Sequence, residues 1–314
     1  MKLAIILDPL PGIKAYKDST VAMMREAVCR GHEIVVIQQE EVWLKAEGVH
    51  ANARALAFTE KDSHLWYRVG DAFEAKLEEF DAVLMRKDPP FDLEYLYSTY
   101  LLEIAEAAGA RVFNRPRSLR DYNEKLAIMK FPELIPPTLV TRDEGHIRGF
   151  LEQHGDIILK PLDGMGGSSV FRLCRHDPNV GVVIETLTHL GRRTIMTQRF
   201  VPEISAGDKR ILLIDGEPVP YALARIAKPG ETRANLAAGG KGVAQALSPR
   251  DREIANAIGP RVRAEGLLLV GLDVIGDYLT EINVTSPTGM QEIAKQTGFN
   301  VAGMMIDALE RAAA

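Results

Sequence analysis

Apolar positions in the first third of the chain fall into short runs separated by amphipathic stretches. "KLAIILD" (residues 2–8) and "EIVVIQ" (33–38) predict buried strands. Between them, "DSTVAMMREAVCRG" has helical spacing, opens on Asp18 or Ser19 and closes on Gly31. After a polar stretch, "DAVLMRKDPP" (81–90) predicts a strand running into a charged loop. Residues 92–108 predict an amphipathic helix stopped by Gly109, and "ARVFN" (110–114) a short strand. Such strand–helix alternation implies an α/β domain with a doubly wound parallel sheet.

The rhythm then changes. Residues 117–131 read as a helix containing Lys125, and Pro132, Pro136 and Pro137 break the chain after it. From 138 the signals are short strands ("PTLVT", "DIILKP", "SSVFRL", "RTIMTQRFV") with helical stretches at 143–154 and 180–190, an α+β module. "KRILLIDGEPVPYALARI" begins a last part, with a helix at 248–265, a hairpin at 267–284 and a final helix from about 290. Three segments are therefore expected, 1–122, 123–202 and 203–314.

Composition narrows the function classes. At 314 residues the chain can bury substantial cores, and its net charge of −5 argues against a general nucleic-acid binder. The apolar run at the N-terminus ends at Asp8–Pro9, too short for a secretory signal, and no segment has the apolar length of a membrane span. Cys29 and Cys174 form neither a metal pattern nor a disulfide framework, so a soluble cytoplasmic protein is expected.

Two stretches carry candidate chemistry. "DIILKPLDGMGGSSVFR" (156–172) ends a strand on Lys160 and follows it with a glycine-rich loop. It lacks the lysine placement of a P-loop, and Ser169 stands where a dinucleotide fingerprint needs its last glycine. Two readings stay open: backbone N–H groups around an oxyanion, or a plain turn beside an exposed lysine. In "GLDVIGDYLTEINVTSPTG" (271–289), Glu281 and Asn283 share a strand face, and Asp273 lies on the preceding strand. Three oxygen donors suit Mg²⁺, which binds few protein ligands and keeps phosphate oxygens and waters. A two-residue turn at Gly276–Asp277 would pair Asp273 with Thr280. A three-residue turn or a bulge would set Asp273 opposite Glu281, so an odd-length connection is expected.

Arginines complete the inventory. Arg210 and Arg225 lie on strands and can pair bidentately with carboxylate or phosphate, and Arg233 lies in a Gly-, Ala- and Asn-rich loop, 226–242. That loop reads equally as a lid or a disordered insertion. Arg86, in the loop "MRKDPPFD" after a parallel strand, sits where doubly wound sheets bind ligands. No residue pair resembles a nucleophile with its base.

"MRKDPPFD", "NEKL", "ILKPLDGMGGSSVFR", "GDKRILLIDGEPVPYALARI", "ETRANLAAGG" and "GLDVIGDYLTEINVTSPTG" together resemble the bacterial glutathione synthetases of the ATP-grasp superfamily, over essentially the whole chain. The resemblance implies an ATP-grasp fold: an N-terminal substrate domain, a small lid domain and a C-terminal antiparallel-sheet domain holding a metal site. It implies ATP- and Mg²⁺-dependent ligation of γ-glutamylcysteine and glycine, with Mn²⁺ as a substitute ion, in a homotetramer. Lys125 and Lys160 would hold phosphates under the loop Gly164, Met165, Gly166, Gly167, Ser168, Ser169. Gln198, Arg199, Phe200 and Val201 would line the adenine, and Asp208 would accept from the ribose. Asp273, Glu281 and Asn283 would hold metal. Arg86, Arg210, Arg225, Arg233, Asn235 and the segment Ser286, Pro287, Thr288 would position the dipeptide, with Arg210, Arg225 and Lys160 stabilising the reaction. Rival readings are another ATP-grasp ligase and a nucleotide-binding module without catalysis.

Overall fold

The computed structural model describes residues 1–59, 65–228 and 240–314. Three sheets follow one another along the chain. The first contains β1 (Lys2–Ile6), β2 (Glu33–Ile37), β3 (Val42–Lys45), β4 (Gly48–Phe58), β5 (Tyr67–Val69), β6 (Phe73–Lys76), β7 (Ala82–Met85) and β8 (Val112–Phe113). β2, β1, β7 and β8 are parallel neighbours. Their apolar residues are almost wholly buried, as expected for strands covered on both faces. Helix α1 (Ser19–Cys29) starts where the Asp18 carboxylate accepts from Val21 N at 2.8 Å, and α2 (Leu93–Ala107) where Asp92 accepts from Tyr95 N at 2.9 Å.

The parallel core is as expected, and the stretch read as polar adds to it. β4 pairs antiparallel with β2 and carries β3, β5 and β6, so the sheet is mixed. These strands are mostly half-exposed and bear charges, which hides their alternation.

The helix expected over 117–131 is interrupted. α3 (Pro116–Asp121) ends early, and a 3₁₀ turn spans Leu126–Lys130. The Asn123 side chain is the reason: its Oδ1 accepts from Lys125 N at 3.1 Å and Leu126 N at 3.0 Å. Lys125 therefore sits in a tight break rather than on a helix face.

The second sheet comprises β9 (Thr138–Thr141), β10 (Asp156–Pro161), β11 (Phe171–Cys174) and β12 (Ile195–Arg199), all antiparallel. Helices α4 (Glu144–His154) and α5 (Val180–Thr188) cover one face, where Ile157, Leu159 and Ile195 meet Ile147, Leu151 and Ile184. The period of two then turns Ile158 and Lys160 to the other face.

The third sheet is antiparallel, in the order β15 (Lys241–Ala246), β14 (Glu217–Ile226), β13 (Asp208–Ile214), β16 (Leu269–Ile275), β17 (Tyr278–Asn283). Helix α6 (Pro249–Ala264) covers one face, packing Ile254, Ile258 and Val262 with Ile211, Leu213, Leu272 and Val274. Lys209 shares that side and pairs with the buried Asp251 of α6. The expected final helix is two, α7 (Met290–Thr297) and α8 (Val301–Ala313), divided at Gly298, whose φ is +76°. Among the described residues no helix is long and apolar enough to cross a membrane.

α6 approaches the β13–β14 turn so closely that a Cβ on Gly259 would lie 2.0 Å from the Gly216 carbonyl oxygen. Gly216 itself has φ +79°, which an L side chain rarely adopts, so the turn has little freedom to yield. Gly259→Ala is therefore expected to lower Tm by several degrees despite alanine's better helix propensity, a loss of about 2 kcal/mol readable by thermal denaturation.

Candidate active site

The register of the third sheet assembles a polar face from residues scattered over the last third of the chain. Asp208 lies opposite Arg225, Arg210 opposite Asp273, and Asp273 opposite Glu281, so all five share one side. Asn283, opposite Gly271, adds an amide. Of the two forms expected for the connection between β16 and β17, the turn itself is the short one, Ile275 pairing with Tyr278 across two residues. The expected bulge sets the register: Thr280 is an extra residue between Leu279 and Glu281. Its Oγ1 donates to the Asp273 carbonyl at 3.1 Å, and its own carbonyl accepts from Lys160 Nζ at 3.2 Å.

Opposite charges interlock across this face. Arg210 Nε and Nη2 donate to the Asp273 carboxylate at 2.5 and 3.1 Å, and Arg225 Nη2 lies 2.8 Å from Asp273 Oδ2. Arg225 also pairs with Asp208. Burial alone would push the Asp273 carboxyl up, but the two guanidiniums outweigh it and hold it well below the usual range. Glu281 Oε1 lies 3.5 Å from Lys160 Nζ and 3.7 Å from Lys125 Nζ. Lys125 also donates to Glu124 and, at 2.7 Å, to the Gly164 carbonyl. Burial pulls the Lys160 ammonium below the ordinary lysine value; for Lys125 the same pull is outweighed by Glu281 and Glu124.

Two chambers meet at this face. The smaller, about 130 Å³, is lined by Lys125, Lys160, Gly164, Gly166, Gly167, Gln198, Arg199, Phe200, Val201 and Asp208. Gly166 and Gly167 take φ of +62° and +78°, so the loop turns on residues that tolerate that conformation. Ser168 and Ser169 are outside this lining. Asp208 Oδ1 is buried with no hydrogen-bond partner among the described residues, an acceptor suited to a ribose hydroxyl. Burial, partly offset by Arg225 and reinforced by Asp273 and Glu281, pushes its carboxyl up to about 6.

That shift has a sign. A carboxyl raised from about 4 to about 6 on folding contributes stability below pH 4 that is lost as pH rises through 6. Asp208→Asn, which keeps an oxygen for Arg225, is expected to stabilise the ligand-free protein at pH 7.5 by on the order of 2 kcal/mol, and so to raise its Tm. The gain disappears near pH 4, a comparison differential scanning fluorimetry makes directly.

The larger chamber, about 660 Å³, is lined by Met165, Arg86, Arg210, Arg225, Asp273, Glu281, Asn283 and Ser286–Thr288 among others. Arg86, at the end of β7, is buried and ties the first sheet to the last. Its Nε donates to Thr20 Oγ1 at 3.1 Å, and its other nitrogens to the Thr285 and Pro287 carbonyls at 3.3 and 3.2 Å. Arg233 and Asn235 lie outside the described residues, as does most of the loop 226–242.

Among the described residues no three His, Cys, Asp or Glu side chains form a metal cage. The two facing carboxylates and the Asn283 amide oxygen instead match a hard cation completed by water and phosphate oxygens. Glu124 was missed as a site residue although it stands in the quoted "NEKL". Only the break before Lys125 turns it inward, where burial and Glu281 raise its carboxyl.

Comparison with known proteins matches the family model "Prokaryotic glutathione synthetase, N-terminal domain" to residues 1–120 and "Prokaryotic glutathione synthetase, ATP-grasp domain" to 124–298. The chain is 63% identical to a glutathione synthetase of Nitrosomonas europaea, over 99% of this chain and 98% of that one. It is 61% identical to a glutathione synthetase of Ralstonia nicotianae, over 100% and 96%. Among solved structures, the D-cycloserine synthetase DcsG superposes with a TM-score of 0.71 at 15% identity, covering 99% of this chain and 100% of that one. At that identity the likeness supports the ATP-grasp fold alone.

Proposed function

The chain belongs to the prokaryotic glutathione synthetase family, and from that premise we propose how its own residues perform the ligation. The activity is ATP-dependent carboxylate–amine ligation, joining γ-glutamylcysteine and glycine to give glutathione, ADP and phosphate. The observation that carries the residue assignment is the meeting of two chambers at one charged sheet face.

ATP occupies the smaller chamber, its phosphates held by Lys125, Lys160, Gly164, Gly166 and Gly167, its adenine by Gln198–Val201, its ribose by Asp208. Asp273, Glu281 and Asn283 would hold Mg²⁺, with Mn²⁺ as a substitute, and the chemistry the ion would supply there is neutralisation of phosphate charge. The dipeptide lies in the larger chamber with Arg86, Arg210, Arg225 and the segment Ser286–Thr288.

A carboxylate does not acylate an amine at neutral pH, so the cysteinyl carboxylate first attacks the γ-phosphorus and becomes an acyl phosphate, releasing ADP. Lys160, Arg210 and Arg225 face the growing negative charge from a pre-built scaffold, which lowers the barrier without reorganisation. Glycine's amine then attacks the acyl carbon and phosphate leaves. Arg210 and Arg225 are held by Asp273 before substrate arrives, so their guanidiniums are already oriented.

The division 1–122, 123–202 and 203–314 is our reading of the domains, supported by each segment carrying its own sheet. A cytoplasmic homotetramer is proposed likewise. α2 exposes Leu93, Tyr97, Tyr100 and Ile104 along one face, a surface of the kind subunit contacts cover. The function is tested by supplying ATP, γ-glutamylcysteine and single amino acids and measuring phosphate release. Glycine-dependent release with glutathione formed stoichiometrically is expected; release with another amino acid, or none, would overturn the reading.

A further inference from the structure

The larger chamber extends to a wall on which the ligation chemistry makes no demand. It forms where the starts of α1 and α7 meet: Met290 N donates to Ser19 Oγ at 3.3 Å, and Gln291 Nε2 donates to the Ala15 and Asp18 carbonyls at 2.7 and 2.6 Å. Asp18, Glu292, Lys14 and Lys17 line the cavity here. Asp18 already has a structural task, accepting from Val21 N as the cap of α1. Glu292 differs, because its Oε2 is buried yet meets no donor among the described residues. Burial holds both carboxyls above their usual range, against the pull of Arg86 on Asp18 and of Lys295 and Lys17 on Glu292.

An orphaned buried acceptor beside a second carboxylate, inside a cavity, is completed by a cation donating hydrogen bonds. A γ-glutamyl group offers one in a distinctive place. Its α-ammonium sits on a carbon two methylenes away from the amide carbonyl, whereas in an α-linked dipeptide that carbon is bonded to the carbonyl directly. The same carbon bears a carboxylate, which Lys14 and Lys17 match in charge.

Resting on the ligase reading above, we propose that Glu292, assisted by Asp18, binds the α-ammonium of the γ-glutamyl end and thereby selects the γ-linked dipeptide. Glu292 is then a specificity residue, distant in role from the phosphoryl transfer. It reads the end of the substrate that does not react, so its removal weakens capture of the dipeptide and leaves ATP and glycine unaffected.

The experiment compares kcat/KM for γ-glutamylcysteine and for N-glutarylcysteine, which lacks only the ammonium, in the unaltered protein and in Glu292→Gln. The unaltered protein is expected to favour γ-glutamylcysteine by on the order of 10- to 100-fold. Glu292→Gln loses that factor on γ-glutamylcysteine, keeps its rate on the glutaryl analogue, and leaves KM for ATP and glycine unchanged. Equal losses on both dipeptides, or no loss on either, overturn the proposal. Should Glu292→Gln not fold, Glu292→Asp keeps the charge but retracts it, and the same ratio decides. Failure of the ligase reading looks different, since the unaltered protein would then make no glycine-dependent product.

Discussion

Glu281→Ala is expected to cut glutathione formation by a factor of about 10³ or more while leaving the fold intact. Three observations combine in this residue. The bulge at Thr280 brings it opposite Asp273, it lies 3.5 and 3.7 Å from Lys160 and Lys125, and it faces both chambers. Its removal takes a proposed metal donor and the shared counter-ion of two phosphate-facing ammoniums together. Its neighbours in β17, Thr280 and Ile282, keep their packing, and Lys125 keeps Glu124. Far-UV circular dichroism and Tm should therefore stay close to those of the unaltered protein. Glu281→Gln, which preserves shape but not charge, should be nearly as inactive; retention of a tenth or more of the activity by either variant would remove Glu281 from the site.

Lys160→Met is expected to act with opposite signs on stability and function. In the ligand-free protein the Lys160 ammonium is buried, and that burial lowers its proton affinity despite Glu281. A group whose basicity falls on folding subtracts from stability wherever it is charged in the unfolded chain, so its replacement by an apolar chain of similar length leaves Tm unchanged or raises it. The nucleotide loses one of two ammoniums facing its phosphates, and KM for ATP should rise by about 100-fold. Thermal shift reads both effects in one experiment: a nucleotide analogue with Mg²⁺ raises Tm of the unaltered protein and fails to raise that of the variant at the same concentration. A variant less stable when ligand-free, yet still stabilised by nucleotide, would show Lys160 to be a structural ion pair.

Much of this site is legible in the sequence because strand periodicity is strict. Glu281 and Asn283 two apart, and Lys160 alternating with Ile157 and Leu159, fix which side chains share a face before any coordinates exist. The register between strands is less legible. That Asp273 faces Glu281 was expected through a longer turn or a bulge; the device is the bulge, and nothing in "GDYLTEIN" distinguishes the two. The break at Asn123 was hidden because "NEKLAIMK" has good helix formers, while one amide side chain captures the backbone N–H groups of the next turn. The meeting of Glu292 with Asp18, which the sequence marks only as a helix start, was hidden for another reason. They lie 274 positions apart and meet only because α1 and α7 pack start to start.

The interlocked charges also bear on how substrates arrive. Asp208, Asp273, Glu281 and Glu124 stand against Arg210, Arg225, Lys125 and Lys160, four formal charges of each sign within one cleft. Such a centre casts little net field into solvent. Capture of an anionic nucleotide should then owe little to long-range steering, and its association rate should vary only weakly with ionic strength. The attraction arises at contact, when incoming phosphate draws the ammoniums away from Glu281.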